Sequence, residues 1–445
     1  MLKFGRDPQD TLLQQENIKN SKGKHGMNKH DKVILHELGS IYAEIASLPW
    51  QEETKQKWIL SNNLQPVQPM FFIDQIPWSE MHVGDELTLR CQDPFCRELE
   101  QMLRRRIYKW NHMRDDFVFE TTIRIPKIIT GLGLGINIKE DVLVTDDVAA
   151  KQNDVAVYAH KYYDLLKTDE AVDQLQFPVV KLDKEETDRR EAIAKEAFEG
   201  VLNVEMDGHS PMYEPWDTIS RYRSMDSLLL DLIDKPDFMH KLINKLTDMF
   251  LSEVDQLEQQ GLLCHPQSVI HCTGGWTDQL PREGYNPDCP RTIDIWSEGK
   301  AQPLGFVSPE MFEEYEIDYA KKVYAKFGLI NYGCCERLDD KLDCVKKLPN
   351  VRKVSISPWS LDRRRAAEEL GKDYIFLSKP NPAQLAYNWS PEAAEADLRL
   401  TLDYCKQYGT PVEFAMKDIG TLEKGAKTLW EWCDVMRRLS NEYAL

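Results

Sequence analysis

No stretch of this sequence is long and apolar enough to cross a bilayer. A spanning helix needs roughly 18 to 20 apolar residues in a row, and no run here approaches that. Residues 1–31 are polar and hold no apolar signal core, so they read as a loose tail without a targeting segment. Positive charge is also in short supply. The 56 Lys and Arg stand against 74 Asp and Glu, a net charge of −18. A surface of that sign repels phosphate backbones and anionic lipid, so neither nucleic acid nor a membrane is an expected partner. Disulfide scaffolds crowd their cysteines into short chains. Here ten cysteines are scattered over 445 residues, and the cytoplasm is the expected compartment. The glycine run Gly131-Leu132-Gly133-Leu134-Gly135 lacks the lysine of a phosphate loop and the flanking order of a dinucleotide fingerprint, so it reads as a turn.

What the sequence does have is regular alternation in its second half. The stretch Leu329-Ile330-Asn331-Tyr332-Gly333-Cys334-Cys335-Glu336 is an apolar run that ends in a glycine, two thiols and a carboxylate. A helical pattern precedes it (309–327) and another follows (338–347). Strand patterns at 351–357, 374–379 and 411–417 then alternate with helical patterns at 361–370, 391–407 and 424–440. Four β-α units in succession imply a parallel sheet, and a (β/α)8 TIM barrel is the expected container. Upstream, helices are expected at 31–47, 93–110 and 183–198 and on either side of Pro236. Strands are expected at 70–73 and 117–125, and one at 268–270 runs into His271-Cys272. Residues 204–216 and 294–302 read as irregular. The organisation expected is an N-terminal tail and helical extension over 1–65, then one α/β barrel over 66–445.

In a parallel α/β fold the chemistry gathers at the C-terminal ends of the strands. Those ends supply Cys334, Cys335 and Glu336, then Trp359, Lys379 and Asp418, with His271 from the 268–270 strand and Asp74 and Trp78 after the first. Trp276, Trp296, Gln302 and Tyr332 complete the polar and aromatic groups expected around a small-molecule substrate. Two cysteines at such a strand end point to soft-metal ligation or nucleophilic chemistry. Since successive strand residues face opposite sides, only one of the two thiols is expected to point inward, unless Gly333 bends the chain.

From about residue 204 onward the chain resembles the uroporphyrinogen decarboxylase-like superfamily, which includes the decarboxylase and the corrinoid-dependent methyltransferases. The resemblance is carried by Asp234-Lys235-Pro236-Asp237 at a helix entry, by Val307-Ser308-Pro309-Glu310-Met311-Phe312, by the strand into Tyr332-Gly333-Cys334-Cys335-Glu336, and by Ser378-Lys379-Pro380-Asn381-Pro382 before a helix. The superfamily fold is a (β/α)8 barrel. Its zinc methyltransferases place His-x-Cys where Tyr332-Gly333-Cys334 stands here. The cysteine is kept, tyrosine replaces histidine, and a second cysteine is added. The resemblance therefore implies a methyltransferase with zinc in a rearranged set drawn from Cys334, Cys335 and His271, with Glu336, Lys379 and Asp418 as catalytic groups. It also implies a corrinoid on a partner protein as methyl donor and a small-molecule acceptor, with a homodimer as one assembly open to the chain. Two alternatives stay open: a decarboxylase or lyase acting on a carboxylated or tetrapyrrole-like substrate, and a non-catalytic ligand-binding barrel. No arginine-containing segment of the decarboxylase kind is found near 70–82.

Overall fold

Apolar runs of four to six residues, each followed by a helix, can pair only in parallel, because the helix returns the chain to the sheet's starting edge. The computed structural model, which describes residues 27–144 and 158–444, has one seven-stranded sheet built this way. Its strands are β1 (Met70–Ile73), β2 (Met212–Tyr213), β3 (Trp296–Gly299), β4 (Leu329–Tyr332), β5 (Val351–Ile356), β6 (Ile375–Ser378) and β7 (Val412–Met416). Every pairing is parallel, and the order across the sheet is β1-β7-β6-β5-β4-β3-β2. From β2 to β7 each strand lies beside its successor in the chain, while β1 lies beside the last. No pairing joins β1 to β2 among the described residues. The fold is α/β, and the four strands expected from 328 onward are adjacent and parallel.

Alternation sorts the side chains into two layers. On the outer face Ile330, Tyr332, Val354, Ile356 and Phe376 pack with Phe312, Tyr324 and Ala367 of the covering helices. Phe71, Ile73, Phe414 and Met416 do the same with Leu429 and Trp432. The inner face holds Met70 and Phe72 against Trp58, Trp296 and Leu329 against Ile270, and Leu377 and Ala415 against Cys272.

Ile270 and Cys272 come from a small antiparallel hairpin, Val269–Ile270 with Thr273–Gly274, that fills the inner face. Its Thr273 Oγ1 donates to Glu413 Oε2 on β7 (2.7 Å), and Lys353 Nζ on β5 donates to Gly274 O (2.8 Å). On its other side Trp296 Nε1 of β3 donates to Gly275 O (2.8 Å), and His271 N donates to Glu298 Oε1 of β3 (2.7 Å). Strands β3 and β7 are four places apart in the sheet, yet one short hairpin touches both, so the sheet curls around it. The helix Pro49–Asn62, which the sequence reading leaves unassigned, seals the N-terminal end of the strands. Its Ser61 Oγ donates to Glu413 Oε1 (2.7 Å), and its Asn62 Nδ2 donates to Gly274 O (3.1 Å) and Trp276 O (2.7 Å).

Several expectations are corrected. The stretch 294–302, expected to be irregular, contains β3. The inner-face residue Glu298 and the small residues Ser297 and Gly299 disguise it as a loop. The two-residue β2 lies inside the loop expected at 204–216. The strand expected at 117–125 is Thr122–Pro126, and it pairs in parallel with Asn203–Asp207 away from the main sheet. The helix expected over 309–327 is Pro309–Phe312 and Asp318–Tyr324 joined by a wider turn, Glu313–Ile317. Among the described residues no helix is long and apolar enough to cross a membrane. All ten cysteines are free.

Candidate active site

The chain leaves β4 through Gly333, whose φ of +91° is open to glycine and strained for other residues. An added Cβ there would also lie 2.6 Å from Leu338 Cδ1. This turn cancels the alternation that would have sent the two thiols to opposite faces. Cys334 Sγ and Cys335 Sγ lie 3.6 Å apart and face the same lysine. Lys417 Nζ, just past β7, is 3.1 Å from Cys334 Sγ and 3.7 Å from Cys335 Sγ. His271 Nε2 reaches Cys334 Sγ from the inner hairpin at 3.3 Å.

The two thiols differ in protonation. Hydrogen bonding from Cys335, followed by the charges of His271 and Lys417, holds the buried Cys334 well below the usual thiol range despite its desolvation. Cys335 is pushed up, first by its hydrogen bond to Cys334 and then by burial. Its single proton has a second acceptor in Asp418 Oδ2, 3.2 Å away. Lys417 is 4% exposed; burial opposes its charge, but Cys334, Cys272, Cys335 and Asp418 together raise its pKa well above the ordinary lysine value. These shifts favour a thiolate on Cys334 beside the Lys417 ammonium, with the shared proton on Cys335. Such a thiolate is a nucleophile at neutral pH.

Around this pair the backbone is held in sparsely populated conformations. Cys272 has φ +64°, Asp418 φ +56° and Gln75 φ +48°. Asp418 N donates to Gln75 Oε1 (3.1 Å), and the buried Cys272 thiol donates to Asp74 Oδ2 (3.4 Å). Non-glycine residues at positive φ persist only where their surroundings over-determine them, and they cluster at functional sites.

Glu336 lies behind the thiols. Its Oε1 accepts from Ala301 N (3.0 Å) and its Oε2 from Cys334 N (2.8 Å), so the carboxyl ties the loop after β3 to the loop after β4. Burial, then the charge on Cys334, pushes its pKa up to about 7. Below the thiols, a crevice too tight to hold a free water is lined by Met212, His271, Glu298, Lys300, Asn331 and Gly333. Burial also raises the pKa of Glu298. Lys379, 4% exposed at the end of β6, has no hydrogen-bond partner for its Nζ among the described residues.

Of the residues singled out in the sequence, the structure gathers Cys334, Cys335, His271, Asp418 and Glu336 at one place, with Asp74 held through Cys272. Trp359 stands on the loop beyond β5, 56% exposed, its N–H donating to Ser357 Oγ (3.3 Å). Gln302 is engaged by Asp217, whose Oδ2 accepts from its backbone N–H (3.1 Å) and whose Oδ1 accepts from its side chain (2.5 Å). Four aromatic or polar expectations fall elsewhere. Tyr332 points to the outer face, where its hydroxyl donates to Glu316 Oε1 (3.1 Å) between the sheet and the helices. Trp296 is fully buried at the base of the inner face. Trp276 packs by Lys55 at the N-terminal end of the strands, with the ammonium 4.7 Å from its ring centroid. Trp78 meets Tyr108 edge-to-face and lies under Arg105 on the flank of the sheet. The sequence reading did not single out Glu298 and Asn331, and did not assign Lys417 a role. Alternation finds two of them, because Asn331 shares a face with Gly333, and Lys417 with Glu413 and Ala415; Glu298 stays hidden with the unrecognised β3.

For a metal, the donors present are His271 Nε2, Cys334 Sγ and Cys335 Sγ. Zinc bonds of about 2.3 Å to sulfur and 2.0–2.1 Å to nitrogen give tetrahedral edges of ~3.8 Å between two sulfurs and ~3.6 Å between sulfur and nitrogen. The two edges seen, 3.6 Å and 3.3 Å, fall a few tenths of an ångström short. Among the described residues no three His, Cys, Asp or Glu side chains already converge as a cluster. Lys417 holds the cationic place beside the sulfurs.

No protein-family model matches this chain. No curated protein matches it. Among solved structures it is similar to one described as a methyltransferase from Methanosarcina mazei, at 12% identity and a TM-score of 0.45, over 88% of this chain and 98% of that one.

Proposed function

We propose that this chain is a methyltransferase of the uroporphyrinogen decarboxylase-like kind, moving a methyl group between a corrinoid carried by a partner protein, or another methyl donor, and a small-molecule acceptor. The observation that carries the reading is the Cys334 sulfur at the C-terminal end of β4, 3.1 Å from Lys417 Nζ and 3.3 Å from His271 Nε2. The sequence resemblance supports it. So does the strand order, which is that of a barrel cut between β1 and β2; with the curl around the inner hairpin, it favours a (β/α)8 barrel.

The chain's own residues would act as follows. Lys417 and His271 keep negative charge on the Cys334 sulfur at neutral pH. Cys335 and Asp418 hold a proton 3.2 Å apart that can pass to or from an acceptor at the mouth. Glu336 fixes Cys334 through its backbone amide, and the buried floor keeps water away from the sulfur. His271 and Cys334, joined by Cys335 once its proton has passed to Asp418, are the donors that would hold zinc, which when bound would keep a thiol acceptor ionised at neutral pH.

The test uses protein purified without chelator. Bound zinc is measured in the parent, Cys334→Ser and His271→Ala, and loss of methylcobalamin is followed spectroscopically with 2-mercaptoethanol as acceptor. The expected result is one zinc per parent chain, lost in both variants, and a demethylation rate that falls at least a hundredfold in Cys334→Ser. An unchanged rate in Cys334→Ser, or no rate in the parent, overturns the reading.

A further inference from the structure

Four neighbouring strands each present a buried polar group with an unmatched atom on the inner face. On β3 it is Glu298 Oε2, on β4 both polar atoms of Asn331, on β5 Ser355 Oγ, and just past β6 Lys379 Nζ; none has a hydrogen-bond partner among the described residues. All four residues are at most 8% exposed. Their register makes them one surface. Glu298 pairs with Asn331 across β3 and β4, and Ser355 pairs with Leu377 across β5 and β6, with Lys379 two residues further on the same face. A Cβ at Gly333 would lie 3.3 Å from Ser355 Cβ, which places Ser355 directly beside the turn into Cys334.

Native proteins leave few such atoms without a hydrogen bond, because each has lost its water and gained at most a long ionic contact in exchange. Four on adjacent strands, opening toward the thiolate, are a template for a ligand's polar groups. The charges at the two ends of the arc are opposite. Lys379 forms no ion pair within 4 Å among the described residues, whereas Glu298 Oε2, though without a hydrogen bond, lies 3.7 Å from His271 Nδ1. Lys379 nonetheless acts electrostatically on both Glu298 and Cys272. The two charges are therefore near enough to feel each other and too far apart to pair. Between them Asn331 offers one donor and one acceptor, and Ser355 a hydroxyl.

We propose that this arc binds a small zwitterion of the amino-acid type, with its carboxylate on Lys379, its ammonium on Glu298 and the intervening atoms against Asn331 and Ser355. The crevice beside Glu298 and Asn331 is closed to water as it stands, so its lining parts when the ligand enters. The zwitterion lies below Cys334, which makes it the small-molecule partner of the transfer reaction. The proposal rests on the reading above for that role but not for binding.

Binding is measured by calorimetry and thermal shift with glycine, β-alanine and 4-aminobutyrate, against acetate and propylamine as half-ligands. The proteins are the parent, Lys379→Met, Glu298→Gln and the transfer-dead Cys334→Ser. The expected result is that one zwitterion binds the parent at least tenfold tighter than either half-ligand. Cys334→Ser should bind it as the parent does, which separates a failed transfer assay from a failed site. Lys379→Met and Glu298→Gln should each weaken binding at least tenfold. Lys379→Met should also raise the unliganded Tm, because an unmatched buried ammonium is gone. No zwitterion binding in the parent overturns the proposal. So does acetate binding as tightly as the best zwitterion, or undiminished binding in Lys379→Met.

Discussion

Lys417 places its ammonium 3.1 Å from the Cys334 sulfur, inside a shell that excludes water from both. The hydrogen bond from Cys335 lowers the Cys334 pKa most, and the charges of His271 and Lys417 add to it, which is why the thiol ionises where burial alone would keep it protonated. Lys417→Met should raise the Cys334 pKa. Alkylation by iodoacetamide, followed against pH, reads this directly. Parent Cys334 reacts at a rate nearly flat from pH 6 to 8, whereas the variant's rate should climb through that range. A flat profile in both proteins would mean that Lys417 does not set the thiol's charge.

Glu336 gives a pH dependence of opposite sense to an ordinary paired carboxylate. Burial first, then the Cys334 charge, raises its folded pKa to about 7 from the ordinary glutamate value of 4.5. The folded state therefore holds a proton that the unfolded state has released. Stability from this group is full below about pH 4.5 and is lost as pH rises through about 7. Glu336→Gln should flatten that descending limb of the stability profile, at a cost at low pH from one mismatched contact with Ala301 N or Cys334 N. Urea denaturation at pH 5 and pH 7.5 measures the difference.

The second half of the fold was legible because each strand from β4 to β7 is a short apolar run between helices of clear period. Strand β3 was not, because its inner face carries Glu298 and its outer face the small Ser297 and Gly299. The thiol centre was legible by position alone, at the end of β4. What position could not supply was parity. Two-residue alternation assigns Asn331 and Gly333 to the inner face and Tyr332 to the helices, so the tyrosine faces away from the thiols. The imidazole arrives instead from His271, on a hairpin whose insertion into the sheet depends on contacts of long sequence separation. Gly333 then overrides parity for the thiols themselves, bringing both to Lys417.

That hairpin is fitted closely against the N-terminal helices. A Cβ on Gly274 would stand 2.3 Å from the Trp58 ring. Gly274→Ala should cost about 1–3 kcal/mol, as overpacking of a filled core does. Because His271 rides on the same hairpin, the variant should also shift the Cys334 alkylation profile to higher pH. Destabilisation with an unshifted profile would show that the hairpin's seating and the thiol's charge are independent.

Glu413 anchors the opposite end of the inner face. It is fully buried and accepts from Lys353 Nζ, Thr273 Oγ1 and Ser61 Oγ, each at 2.7 Å, so it joins β5, the inner hairpin and the helix Pro49–Asn62. Removing one member of a buried pair leaves the other uncompensated, at about 3–5 kcal/mol. Glu413→Gln should therefore destabilise the protein by that order at pH 7. Lys353 sets how the loss varies with pH. Burial already lowers its folded pKa to about 8, with Glu413 acting to raise it. A lysine whose folded pKa lies below its unfolded value binds fewer protons folded than unfolded, so stability rises with pH between the two values. In the parent that rise starts near pH 8; without the Glu413 charge it should start lower. Glu413→Gln should then recover part of its deficit between pH 7 and pH 9, measured by urea denaturation at both. The double variant Glu413→Leu with Lys353→Met removes both charges and should lie closer to the parent at pH 7 than Glu413→Gln does. A deficit constant with pH, together with a double variant no better than the single, would place the cost in the lost Thr273 and Ser61 hydrogen bonds rather than in the stranded ammonium.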